Sequence, residues 1–222
     1  MNGGMFKMIF YIIGAIASAM YYVHYMPLDE PYFVQQIFKV VPMLFIILLA
    51  YRFYDLRQES YARSVIVALI LIACGTATLP YFVFSLMFFA AGQLYFLRAF
   101  FTVPWKTPSK WLLATLVMLA AIIIGWVVGN IMKDHLYMLS LVISLYIAIT
   151  LTMLWASFHT RQWMIIAATL CFASANLLFA INNFITPLSH LNVLMMTPYY
   201  CSALFFSLSI VNYFGLPNKV LE

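Results

Sequence analysis

Residues 162–185 read QWMIIAATLCFASANLLFAINNFI, a stretch with no charged side chain. As a helix it rises about 36 Å, enough to cross a hydrocarbon core of about 30 Å. Seven more apolar stretches surround it, at roughly 6–25, 35–54, 62–78, 80–103, 111–132, 135–158 and 195–215. None alternates with period two for long enough to suggest a membrane barrel, so the spans read as helices. The third is short, and Gly75 and Pro80 mark its turn into the fourth. Pro104 and Pro108 interrupt the chain after the fourth span, and Thr186-Pro187 follows the seventh. The fold class expected is all-α: an eight-transmembrane-helix bundle forming one membrane domain over residues 1–222.

Composition agrees. Of the 222 residues, 66% are hydrophobic and 8% charged, against about 25% charged in a soluble domain. So few charges cannot cover a water-facing surface, which argues against a soluble enzyme and a disordered tail. The net charge of +5 comes from singly scattered basic residues, so no nucleic-acid partner is expected.

The basic residues set the expected orientation. Lys7, Arg52, Arg57, Arg63, Arg98, Lys106, Lys110, Arg161 and Lys219 fall on one side of the spans, and Lys39 and Lys133 on the other. By the positive-inside rule both termini are expected in the cytosol. Trp105, Trp111, Trp155 and Trp163 lie at span ends on the same basic side, as interfacial anchors do. Lys7 and Ala17-Ser18-Ala19 resemble parts of a cleavable signal. The apolar run continues through Met20, Tyr21, Tyr22 and Val23, which is long for a signal core, so it is read as a span.

Ionisable groups in lipid are costly and mark function. Asp29, Glu30, Asp55, Glu59, Asp134 and Glu222 all fall in loops or the tail, so no carboxylate lies deep in a span. That argues against a proton-coupled pump. Lys39 enters the second span, three residues before Pro42. It either snorkels to the headgroups or lines a pocket where Pro42 frees backbone. The neutral polar candidates are Thr76, Gln93, Asn130, Asn176, Asn182 and Asn183, whose ordinary use is interhelical hydrogen bonding. Tyr199 and Tyr200 open the eighth span, where an aromatic belt also places tyrosines. By depth, Lys39, Thr76, Asn183, Tyr199 and Tyr200 share the non-cytosolic half, with Gln93 and Asn176 near the midplane. Shared depth permits one polar pocket, open to the non-cytosolic leaflet, with its floor at the midplane.

Cys74, Cys171 and Cys201 have no CxxC spacing and read as small core residues. His24, His135 and His190 fall at the non-cytosolic face with Asp29 and Asp134. Three histidines and a carboxylate suit zinc, but their spacing matches no motif, so neither a metal nor another cofactor is expected. No GxSxG, P-loop or HExxH occurs.

Several short strings occur in a telling order. Phe38-Lys39-Val40-Val41-Pro42 opens span two, and Tyr61-Ala62-Arg63 leads into a span that ends at Gly75. Phe179-Ala180-Ile181-Asn182-Asn183-Phe184 closes span seven, and Pro198-Tyr199-Tyr200 opens span eight. From Phe38 to Val211 this order resembles the YhhN-like lysoplasmalogenase family, nearer its animal branch. The resemblance implies hydrolysis of the vinyl-ether bond of lysoplasmalogens, a lysophospholipid or ether lipid partner, and an internal membrane such as the endoplasmic reticulum. No retention signal is readable at residues 218–222. The chemistry needs a proton delivered to the vinyl-ether carbon and water guided to the oxocarbenium ion, which carboxyl groups supply. The family carries Gly-Asp ending span three, His in span four, Ser-Asp in span seven and Tyr-Tyr-x-Ala-Gln in span eight. Here the corresponding residues are Gly75-Thr76, Gln93, Ala175-Asn176 and Tyr199-Tyr200-Cys201-Ser202-Ala203. Thr, Asn and Gln supply no acidic proton at neutral pH.

The resemblance therefore implies a lysoplasmalogenase-like protein with impaired catalysis that still binds a single-chain lipid. Lys39, Asn183, Tyr199 and Tyr200 would contact the lipid, and Thr76, Gln93 and Asn176 would replace the catalytic set. The family positions of Lys39, Thr76, Asn176 and Tyr199, taken with the shared depth, imply one cavity between spans two, three, seven and eight, lined by Lys39, Thr76, Asn176, Asn183 and Tyr199. Two alternatives stay open: an active vinyl-ether hydrolase drawing its acid from the His24, His135 and His190 face, and a lipid transporter or scramblase without chemistry. For the topology, tags at both ends of the chain should be digested by protease added to intact microsomes. A protected carboxyl-terminal tag beside an accessible amino-terminal one would mean an odd number of spans.

Overall fold

The computed structural model of the protein describes residues 3–27, 30–53, 59–104, 107, 109–133 and 135–213. Asp29, Asp55, Arg57, Trp105, Lys106, Pro108, Asp134 and the 218–222 tail, all named above, lie outside the described residues. The described residues form eight α-helices and no strand. They are α1 (Gly3–Met20), α2 (Tyr32–Arg52), α3 (Glu59–Ala77), α4 (Phe82–Phe101), α5 (Lys110–Lys133), α6 (Tyr137–Thr160), α7 (Trp163–Phe184) and α8 (Leu191–Tyr213). A π-helical turn at Tyr21–Tyr25 extends α1.

All eight are long and apolar enough to cross a membrane, so the protein is an integral, multi-pass membrane protein. In hydrocarbon every backbone N–H and C=O needs a partner, and a helix provides it within the segment. The outer surface fits that solvent: Phe6, Phe33, Trp111, Met138 and Leu141 all stand exposed. The helices reverse through short connections. Non-glycine residues take the left-handed conformation at His135 (φ 59°), Arg161 (φ 49°) and His190 (φ 57°). The reversal at His190 lets α8 begin at Leu191, four residues before the sequence boundary, so Pro198 lies inside the helix. Pro42 lies inside α2 in the same way.

The middle of the bundle is α3 and α8. In each, 56% of the spanning window is buried, against 11% in α1 and α5. Phe96 of α4 stacks on Phe206 of α8 with ring centres 3.9 Å apart, and Phe100 lies beside both. The Tyr61 hydroxyl of α3 pairs with Ser209 of α8 at 2.7 Å, and Ser207 Oγ donates to Ile46 O of α2 at 3.2 Å. The α3–α4 pair closes on a glycine: a Cβ at Gly92 would lie 2.7 Å from Ile72 Cγ1 and 3.2 Å from Ala68 O. Small residues of this kind let membrane helices approach through backbone and short side chains.

Two glycine variants separate packing from helix propensity. Gly92→Ala should lower the detergent-solubilised protein's stability by about 1–3 kcal/mol, the usual cost of overpacking. Gly125→Ala should be neutral or slightly stabilising, because nothing lies within 4 Å of its Cβ position and Ala favours helix over Gly. Thermal unfolding of the two variants measures the difference; equal midpoints would deny the close α3–α4 approach.

Candidate functional site

At the end of α3 Thr76 is almost wholly buried. Its hydroxyl donates one turn back to Ile72 O at 3.0 Å. Tyr199 Oη of α8 lies 2.5 Å from Thr76 Oγ1 and 3.5 Å from Ile72 O. With the Thr76 proton on Ile72 O, the tyrosine is the donor to Thr76. Phe89 of α4 meets the Tyr199 ring edge-on at 6.4 Å. Ser85 Oγ of α4 donates to Gly75 O at 2.8 Å, tying the next helix to the same turn.

A second polar cluster lies deeper. Tyr146 and Thr150 are four residues apart on α6, so they share one face. Tyr146 Oη donates to Asn176 Oδ1 of α7 at 3.1 Å. Thr150 Oγ1 lies 3.0 Å from both Gln93 Oε1 of α4 and Tyr146 O, as donor. Gln93 is fully buried. Among the described residues neither Gln93 Nε2 nor Asn176 Nδ2 meets a hydrogen-bond partner. Each orphaned donor forfeits its solvation, so the cluster costs stability as built.

Between these clusters lies a cavity of about 280 Å³. Its walls come from α3, α4, α5, α6, α7 and α8. Leu79, Phe82 and Phe184 mark one end near the α3–α4 turn, and Leu154 and Leu170 lie toward the other. Thr76, Ser85, Tyr146, Thr150, Ser174, Asn176 and Tyr199 are its polar lining; the rest is hydrocarbon, and none of the described lining residues is charged. The arrangement offers an apolar space with a few neutral hydrogen-bonding groups.

The structure thus brings Thr76, Asn176 and Tyr199 into one cavity, with Gln93 bonded to its wall through Thr150. It does not bring in Lys39, Asn183 or Tyr200, and α2 is not a wall. The expected enclosure by spans two, three, seven and eight is corrected accordingly: α8 stands between α2 and the cavity. Lys39 is 8% exposed, packed with its Nζ 5.9 Å from the centre of the Tyr22 ring. Tyr200 Oη donates to Lys39 O at 2.7 Å, just before Pro42 in the helix. Asn183 Nδ2 turns back to Phe179 O at 2.7 Å. Asn182 Oδ1 instead accepts the Leu188 N–H at 2.9 Å and holds the α7–α8 turn. Asn130 is used locally, between Trp126 O and Lys133 Nζ.

Tyr199 and Tyr200 are buried with specific partners, not placed in an aromatic belt. The cysteines are also corrected: Cys74 and Cys201 are exposed and Cys171 is half-buried, so they are not core residues. An apolar thiol is tolerated at a lipid-facing surface. Among the described residues no three His, Cys, Asp or Glu side chains form a group able to hold a metal. His24 lies in the π turn, and His135 Nδ1 is 3.2 Å from Tyr137 Oη. Tyr146 and Thr150 were missed from the sequence. Their signal was the four-residue spacing of two polar residues in an apolar span.

The YhhN family model matches residues 34–210. The chain is similar to Lysoplasmalogenase TMEM86A of Bos taurus, 26% identical over 88% of this chain and 85% of that protein. It is also similar to Lysoplasmalogenase TMEM86B of Sus scrofa, 30% identical over 86% of this chain and 82% of that protein. No solved structure matches.

The two tyrosines of the cavity should differ in weight. Tyr199→Phe leaves Thr76 its bond to Ile72 O, so the loss should be near the ~0.6 kcal/mol of an average interhelical bond in a membrane. Tyr146→Phe strips Asn176 of its remaining partner and should cost about 1–3 kcal/mol. Detergent-phase thermal unfolding that ranks them the other way round would contradict the assigned bonds.

Proposed function

The chain belongs to the YhhN family, and from that premise we propose that it is a lysoplasmalogenase-like protein that holds a single-chain ether lipid without hydrolysing it efficiently. One observation carries this: the positions corresponding to the family's acids, Thr76 and Asn176, line one apolar cavity that no described charged residue lines. The lipid chain occupies the hydrocarbon walls, and its neutral oxygens meet Thr76, Tyr146, Asn176 and Tyr199. Gln93 acts from behind, through Thr150. Protonating a vinyl-ether carbon needs an acid, and general-acid help is worth about 10²–10⁴-fold. A hydroxyl or amide at these places forms hydrogen bonds but supplies no such proton.

Lys39, Tyr200 and Asn183 have a different place in this proposal. Lys39 would meet a headgroup phosphate only outside the cavity, as a point charge, while Tyr200 and Asn183 spend their side-chain donors on Lys39 O and Phe179 O. The family relationship favours an internal membrane such as the endoplasmic reticulum. Its relatives' name fixes the substrate class to examine, lysoplasmalogen.

Aldehyde release from lysoplasmalogen by the purified chain is the test. The expected result is release at the no-enzyme background while the chain still retains the lysolipid. Thr76→Asp combined with Asn176→Asp should raise release measurably, since Tyr199 and Tyr146 already present hydroxyl donors to the two positions. Turnover by the unmodified protein that is lost on changing His24, His135 or His190 would replace this proposal with an active hydrolase. Lipid movement across sealed vesicles without aldehyde release would point to transport.

A further inference from the structure

A second recess of about 400 Å³ lies at the basic end of α1 and α2, lined by Phe6, Lys7, Phe10, Tyr11 and Arg52. It shares no residue with the cavity of α3–α8. Lys7 stands near the start of α1 and Arg52 is the last residue of α2, so antiparallel packing brings the two cations to one level. No described acidic side chain lines the recess. Two like charges facing one space repel unless an anion stands between them. A guanidinium fork and a flexible ammonium together suit a phosphate.

The apolar part of the recess says where that phosphate comes from. Phe6 and Phe10 are one turn apart on α1, on one face. They are 64% and 58% exposed, and Tyr11 meets Phe10 edge-on at 5.7 Å. Exposed rings directly beside two cations match the boundary between headgroups and acyl chains, where aromatic side chains concentrate. A soluble phosphate has no use for such walls, whereas a phospholipid fills both parts.

We propose that Lys7 and Arg52, with Phe6, Phe10 and Tyr11, form a binding site for the headgroup phosphate of an anionic membrane phospholipid. An anionic lipid is favoured over a zwitterionic one because a choline would face two cations. The site is independent of the cavity's ligand.

The test uses the full chain in detergent micelles, with phosphatidylglycerol and phosphatidylcholine added in equal amounts and bound lipid read by native mass spectrometry. Phosphatidylglycerol should dominate. Lys7→Gln and Arg52→Gln should each lower its occupancy roughly five-fold, while Lys7→Arg and, at the opposite end, Lys133→Gln leave it unchanged. Soluble glycerol phosphate at the same concentration should not displace the lipid. Equal retention of the two lipids by the unmodified chain, a reading that needs no variant to fold, would overturn the site. So would full retention by a folded Lys7→Gln/Arg52→Gln protein. Displacement by glycerol phosphate would overturn the assignment to a lipid.

Discussion

Hydrocarbon offers a buried polar group no partner except another part of the protein. The backbone meets this by coiling into helices, and the side chains meet it in two ways. Ser18, Ser64 and Thr169 donate one turn back to their own helix, at Gly14 O, Ser60 O and Ile165 O. Some reach across. Tyr61 with Ser209, Thr76 with Tyr199, Tyr200 with Lys39 O and Ser207 with Ile46 O fasten α8 to α2 and α3. Each such bond is weak on its own in a membrane. Together they explain why α8, whose sequence carries an internal proline, runs unbroken through the middle of the bundle.

The same constraint shapes the cavity. Two of its polar residues, Thr76 and Asn176, are each held by a tyrosine hydroxyl from another helix. Carboxylates at these places would face a large desolvation penalty, which falls away with neutral residues. The described lining offers an apolar surface and a few neutral hydrogen-bonding groups. Among the described residues Gln93 Nε2 and Asn176 Nδ2 meet no partner, so the second cluster is satisfied only in part. Neutral residues at these places avoid that burial cost, and the apolar residues around them enclose the pocket.

The spans were legible in the sequence because length and the lack of charge are local properties. The boundaries moved by a few residues where a turn residue, such as His190, decided the start of a helix. Thr76, Asn176 and Tyr199 were legible as a group because depth follows from position along a span and because the family strings mark the same positions. Which way each helix faces does not. Lys39 and Tyr199 lie at similar depth, yet α8 separates Lys39 from the cavity. Tyr146 and Thr150 escaped notice because Tyr and Thr are common in apolar spans, and their role comes from the Gln93 and Asn176 they meet on α4 and α7. The cysteines failed for a related reason: in lipid an apolar residue gains little by facing inward.

Tyr199 and Tyr200 show how the two sides of the bundle are joined. Neighbours in a helix point about 100° apart, so consecutive residues serve different faces. Tyr199 turns to the cavity and Thr76, whereas Tyr200 turns to Lys39 O and meets the Tyr22 ring edge-on at 6.5 Å. The two rings touch, with centres 5.2 Å apart. The ring that lines the cavity therefore rests on the ring that holds α2 beside its proline. The helices α1 and α2 build none of the cavity wall, and the family match begins only at residue 34, within α2. Phe6, Lys7 and Phe10 of α1 line instead the separate recess they share with Arg52 of α2, so the recess and the cavity are built from different helices.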